Sequence, residues 1–159
     1  MQLTANFSLA ELCRSDTAAR LGIDNVPPAG SIIRARLGTL AVFLEKVRRL
    51  CGNRPMNIHD AYRCPELNAA VGGVPNSAHE EGFAADFDVA GLTPYETAVL
   101  LNTAGKRGEL VFDQLILEQL PVPTWVHLGR RLHDENATPR MERLTKTASG
   151  LYVAGILAP

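Results

Sequence analysis

The run Ala84-Ala-Asp-Phe-Asp-Val89 sets a carboxylate, Asp86, inside what its composition reads as a buried strand. A charge in that position is costly to desolvate unless a cation or several hydrogen bonds meet it, so any fold of this chain must bring compensation to Asp86. Seven residues upstream, His79 lies in the turn-like stretch Ser77-Ala-His-Glu-Glu-Gly-Phe, where Gly82 lets the backbone approach closely before it enters the strand. A second imidazole, His127, follows in Trp125-Val-His-Leu. Two histidines and one aspartate form a ligand set that holds zinc and leaves a fourth position open for water. Each of the three also has an ordinary structural use, as a satisfied histidine or a capping or surface aspartate. Asp88 shares the face of Asp86 by period two and is the alternative ligand, or a partner that orients a histidine.

The elements around these residues read as helices followed by a small sheet, an α+β class. Phe7-Ser8-x-x-Glu11-Leu12 is a capping box with a hydrophobic staple, and Ser15-Asp16 caps a second short helix that Gly22 ends. Val26-Pro-Pro-Ala-Gly30 is a loop. From Ser31 to Gly52, Ile33, Leu37, Leu40, Ala41, Leu44, Val47 and Leu50 recur at helical spacing. Arg34, Arg36, Glu45, Lys46 and Arg48 fall outside that stripe and read as a solvated face.

Met56, Ile58, Asp60 and Tyr62 alternate in a strand-like run, and Pro65 opens a brief helix through Asn68 and Ala70. Thr93-Pro94-x-Glu96 starts another helix, which Gly105 is expected to stop. A late antiparallel hairpin is expected from Leu115–Leu117 and Trp125–Leu128, an edge strand from Leu151–Ile156, and a polar loop from Gly129 to Arg140.

With 159 residues, 46% of them hydrophobic, the chain has material for one domain, residues 1–159, and too little for two ordinary ones. A net charge of −1 supplies no basic field of the kind that recruits nucleic acid or anionic lipid, so neither partner is expected. Met1-Gln-Leu-Thr-Ala-Asn-Phe has no basic start or long apolar run, which predicts synthesis in the cytoplasm without a signal peptide. Cys13, Cys51 and Cys64 lack zinc-knuckle or redox spacing and read as reduced, packing thiols.

The motifs resemble the zinc D-Ala-D-Ala carboxypeptidase family, which includes D,D-dipeptidases and peptidoglycan endopeptidases of phage lysis systems. Ser77-x-His79-x-x-Gly82-x-Ala84-x-Asp86 is similar to its first metal-binding segment, Trp125-x-His127 to its second, and Tyr62-Arg63-x-Pro65-x-x-Asn68 to its substrate-side segment. The opening Phe7–Leu12 and Arg14–Ile23 resemble its small phage and prophage branch. The resemblance implies one zinc ion on His79, Asp86 and His127, with Arg63 holding substrate and stabilising the scissile carbonyl oxygen. It implies Ser77 and Trp125 as substrate contacts and a peptidoglycan stem peptide as substrate, cut at a D-Ala-D-Ala terminus or an L-Ala-D-Glu link. His59 and His133 stand in no matching segment and are left out of the ligand set.

Many members of that family carry an acid three residues before the second histidine, and here that position is Thr124, which is no base near neutral pH. If Leu115, Leu117, Val126 and Leu128 share the buried face of the hairpin, Ile116, Glu118, Trp125 and His127 share the other. Pairing Glu118 with Trp125 sets it diagonally from His127, about 7–8 Å between backbones, a gap that a side chain and a water span. Glu118 is therefore the expected general acid/base. The alternative to a phage or prophage wall enzyme is a non-catalytic, zinc-stabilised virion or wall-binding module, for which a closed fourth ligand would speak.

Overall fold

The computed structural model of the chain describes residues 1–120, 122–130 and 138–159. Helix α1 (Leu9–Leu12) starts at the expected capping box, with Ser8 accepting from the Glu11 amide and Glu11 reaching back to the cap. Helix α2 (Asp16–Leu21) starts at Ser15 and ends at Gly22, whose φ of 69° is the left-handed closure that glycine adopts without a Cβ penalty. The long helix α3 (Ile32–Leu50) follows the proline loop and buries Leu37, Leu40, Ala41, Phe43, Leu44 and Val47. Helix α4 (Pro65–Ala70) opens on its proline, and α5 (Pro94–Lys106) opens on a second capping box.

The strands are β1 (Met56–Asp60), β2 (Ala84–Val89), β3 (Gln114–Leu120), β4 (Val122–Gly129), β5 (Glu142–Lys146) and β6 (Tyr152–Ala154). They form one sheet in the order β1-β2-β4-β3-β5-β6. Every pairing is antiparallel except β3 with β5, so the sheet is mainly antiparallel but mixed. One sheet face, carrying Ala85, Phe87, Leu115, Leu117, Val126 and Leu128, joins α1, α3 and α5 in the hydrophobic core. Period-two alternation leaves Asp86, Glu118, Trp125 and His127 for the other face.

The hairpin has the expected register, Leu117 opposite Val126 and Glu118 opposite Trp125. Four details differ from the sequence reading. Helix α5 runs past Gly105 to Lys106; a Cβ at Gly105 would stand 2.7 Å from the Phe112 ring, so this glycine makes room for a core side chain and stops nothing. The chain turns instead at Gly108, where φ is +71°. Strand β1 does not alternate throughout: Ile58 opposes Phe87 but Asp60 opposes Asp86, and the intervening His59 is the extra residue of a bulge. The bulge moves Asp60 from the core phase to the face of Asp86. Strand β5 was not expected, because Glu-Arg-Leu-Thr-Lys has a single strongly apolar residue and its pairing with β3 is non-local. Arg36 on the outer stripe of α3 is not simply solvated; it ion-pairs with Glu81 and lies over the Phe83 ring, 4.6 Å from its centroid, tying α3 to the His79 turn. The proposed Gly129–Arg140 loop falls largely outside the described residues. No described helix is long and apolar enough to cross a membrane.

Asn25, just before the proline loop, is 5% exposed and clamps the chain on both sides of Arg63. Its Nδ2 donates to Cys13 O at 2.9 Å and Tyr62 O at 2.8 Å, and its Oδ1 accepts from the Cys64 amide at 2.7 Å. Asn25→Ala would strand two buried backbone carbonyls and one part-buried amide, an expected loss of about 2–4 kcal/mol. In a chain of this size that reads as a drop of roughly 5–15 °C in Tm. An unchanged melting curve would show that water replaces the clamp.

Candidate active site

Asp86 and His127 are direct register partners across β2 and β4, and His127 Nδ1 lies 2.7 Å from Asp86 Oδ1. His79 comes from the turn before β2, where Gly82, at φ +71°, packs on Leu37 of α3. His79 is 3% exposed, and its Nδ1 lies 2.8 Å from Ala61 O. A carbonyl cannot donate, so Nδ1 carries the proton and turns Nε2 toward the other two residues. Nε2 stands 3.2 Å from His127 Nδ1 and 3.5 Å from Asp86 Oδ1.

These donor atoms suit a zinc ion. Tetrahedral zinc with bonds of about 2.0–2.2 Å sets its ligand atoms roughly 3.3–3.6 Å apart. The separations here, 2.7, 3.2 and 3.5 Å, lie close to that edge, the shortest being a charge-assisted contact that a cation would relax. Among the described residues the cluster holds three candidate ligands, and neither Asp88 nor a cysteine belongs to it. Asp88 instead meets His59 at 3.1 Å, so the histidine it orients is not a ligand. His133 lies outside the described residues. Burial pushes Cys13 and Cys51 up to about 11, which fits packing thiols and no nucleophile.

Burial alone would raise the Asp86 pKa, but His79 and His127 outweigh it and hold the carboxyl well below the usual carboxylate range. For His79 burial acts downward, yet the Asp86 carboxylate overrides it and raises the imidazole above its ordinary value. The sign of the stability effect follows. Without metal, the raised His79 contributes stability below the unfolded-state pKa of about 6.5 and loses it as pH climbs through its folded value. Asp86 contributes above about pH 3.9 and loses its contribution on deep acidification. Zinc must displace the His79 proton, so the zinc-dependent gain in Tm should grow as pH rises from 6 to 8 while the Tm with chelator falls or stays flat. Paired melting curves with zinc and with chelator check this; parallel curves would rule His79 out as the group that competes with zinc.

The three residues line a cleft of about 760 Å³ together with Arg63, Ser77, Glu118 and Trp125. Arg63 ion-pairs with Asp60, which the β1 bulge delivers, and its Nη2 donates to Ser77 Oγ at 3.4 Å. Its backbone amide donates to His79 O at 3.3 Å, so the arginine and the histidine share one local frame. Burial pushes the Asp60 carboxyl up, with His79 and Arg63 opposing. Trp125 packs its ring 5.8 Å from that of His59. Glu118 is 7% exposed, and Lys146 Nζ stands 3.1 Å from its Oε2. Thr124 is exposed and absent from the cleft wall.

The structure thus brings every proposed site residue to one cleft, adds Lys146 and Tyr152 to its wall, and sets Asp60 behind it as the partner of Arg63. Asp60 had a signal, an ionisable group in the phase of Met56 and Ile58; Lys146 and Tyr152 had none, since the pairing that brings them in was not expected. No curated protein matches this chain in sequence. A family model described as Peptidase M15 matches residues 5–116, a span that holds Arg63, Ser77, His79 and Asp86 and ends before Glu118 and His127. Since that match covers well over half of the 159 residues, the chain belongs to the peptidase M15 family, a family of zinc peptidases.

Proposed function

We propose that this protein is a phage or prophage cell-wall enzyme that hydrolyses a peptidoglycan stem peptide, with zinc held by His79, Asp86 and His127. The observation that carries the reading is the convergence of two imidazole nitrogens and one carboxylate oxygen, 2.7–3.5 Å apart, in a cleft where no fourth ligand joins them among the described residues. When bound in such a site, zinc lowers the pKa of water and polarises a carbonyl.

Glu118 accepts the proton of the water that attacks the scissile carbonyl carbon, and returns it to the amine nitrogen as the C–N bond breaks. Arg63, fixed by Asp60 and Ser77, keeps its buried Nε without a hydrogen-bond partner among the described residues. That preorganised cation stabilises charge developing on the carbonyl oxygen. Ser77 and Trp125 contact the peptide beside it.

The bond cut is the D-Ala-D-Ala terminus or the L-Ala-D-Glu link. A muropeptide containing both, incubated with zinc-loaded protein, separates the two by product mass: loss of one alanine marks a carboxypeptidase, and release of the peptide from L-Ala marks an endopeptidase. A zinc-stabilised wall-binding or virion module would take up metal and leave the peptide intact, and that result would overturn the enzyme reading.

A further inference from the structure

Glu118 and Lys146 are register partners in the parallel pairing of β3 with β5, and Lys146 is in turn opposite Tyr152 on β6. The ammonium lies 3.1 Å from Glu118 Oε2 and 5.6 Å from the centre of the Tyr152 ring. The pair is poorly solvated: the Glu118 side chain is 9% exposed and that of Lys146 27%. Such pairs seldom add much stability, because desolvation offsets their attraction, so its presence beside the cleft asks for another use. Oε2 is fully buried and among the described residues accepts no well-aligned hydrogen bond, leaving the ion pair as its contact there, yet Glu118 still lines the cleft. The two carboxylate oxygens are therefore unequal.

We propose that Lys146 is a positioning residue for the reaction: it anchors Glu118 through Oε2 and leaves Oε1 as the oxygen that exchanges the proton. This rests on the reading of Glu118 as general acid/base. Proton bookkeeping is unaffected, because Lys146 keeps its own proton throughout; water loses one proton to Oε1, and the leaving amine gains that proton as the C–N bond breaks. Without the anchor, the carboxylate has other rotamers open to it, and misplacement by about 1 Å can cost on the order of 10²-fold in rate.

The test is a double-mutant cycle on the same muropeptide, with zinc content and Tm recorded for every variant. Lys146→Met should lower kcat about 10–100-fold, as loss of an orienting partner does, with KM and bound zinc unchanged within about twofold. Lys146→Arg should restore most of the loss, since its guanidinium meets the same oxygen. In a Glu118→Gln background Lys146→Met should cost nothing further. If Lys146→Met does not fold, Lys146→Gln against Lys146→Arg makes the same comparison. Wild-type kcat in Lys146→Met, or an equal loss in both backgrounds, would overturn the positioning role while leaving Glu118 as base. Wild-type turnover by Glu118→Gln would overturn the base assignment itself, and Lys146's role with it.

Discussion

Glu118→Gln should lower turnover of a muropeptide by about 10²–10⁴-fold, the span that a positioned general acid/base supplies, while zinc content stays at the wild-type level. Glutamine keeps the shape of the side chain but cannot accept the proton of the attacking water. The ion pair with Lys146 is lost as well, but that side chain is 27% exposed and rehydrates, so the stability cost should stay at about 1 kcal/mol or less. Zinc stoichiometry, Tm and kcat measured on one preparation distinguish the outcomes. A variant that loses zinc together with activity would place Glu118 among the groups that build the metal site.

Asp86→Asn should remove both zinc and activity. Among the described residues the carboxylate is the only anionic candidate ligand in the cluster, and it lies within 3.5 Å of both imidazole donors. Loss of an outer partner of a metal ligand costs about 10–100-fold in affinity, and loss of the charged ligand itself should exceed that. The metal-free variant carries a second signature. With the Asp86 charge gone, burial of His79 loses the largest effect that opposes it and keeps only the smaller pull of Asp60, so the imidazole pKa should drop and stability should rise with pH where the wild type's falls. Competition against a chelator gives the affinity, and paired melting curves give the sign. Retention of tight zinc binding would show that two histidines suffice and that Asp86 answers the histidine charges instead.

Much of this site was legible because its residues obey two short periods. Asp86 stood out as a charge inside a run that reads as a buried strand, and the alternation of Leu115, Leu117, Val126 and Leu128 was enough to align Glu118 with Trp125. The capping residues Ser8, Ser15, Ser31 and Thr93 marked helix starts through side-chain contacts that span three residues, a range over which sequence determines geometry. Contacts that no local rule encodes stayed hidden. Lys146 meets Glu118 because β5 lies parallel to β3, and Asp60 reaches Arg63's guanidinium because one extra residue bulges out of β1. Asn25 drew no reading from the sequence, although its amide closes three backbone bonds with residues up to 39 positions away. Gly105 was read as a helix stop, when the Phe112 ring was what required it.

The strand order carries a consequence for the chain as it is made. Strand β2 lies between β1, which precedes it, and β4, whose His127 is 41 residues later than Asp86. While the chain emerges from the ribosome, β2 therefore exposes one open edge until β4 is complete. An apolar segment with an open edge is a template for aggregation, and charges within it are the usual safeguard. Asp86 and Asp88 interrupt Ala-Ala-Asp-Phe-Asp-Val during that interval. The carboxylate of the candidate metal site thus protects the nascent strand before the second histidine has been translated.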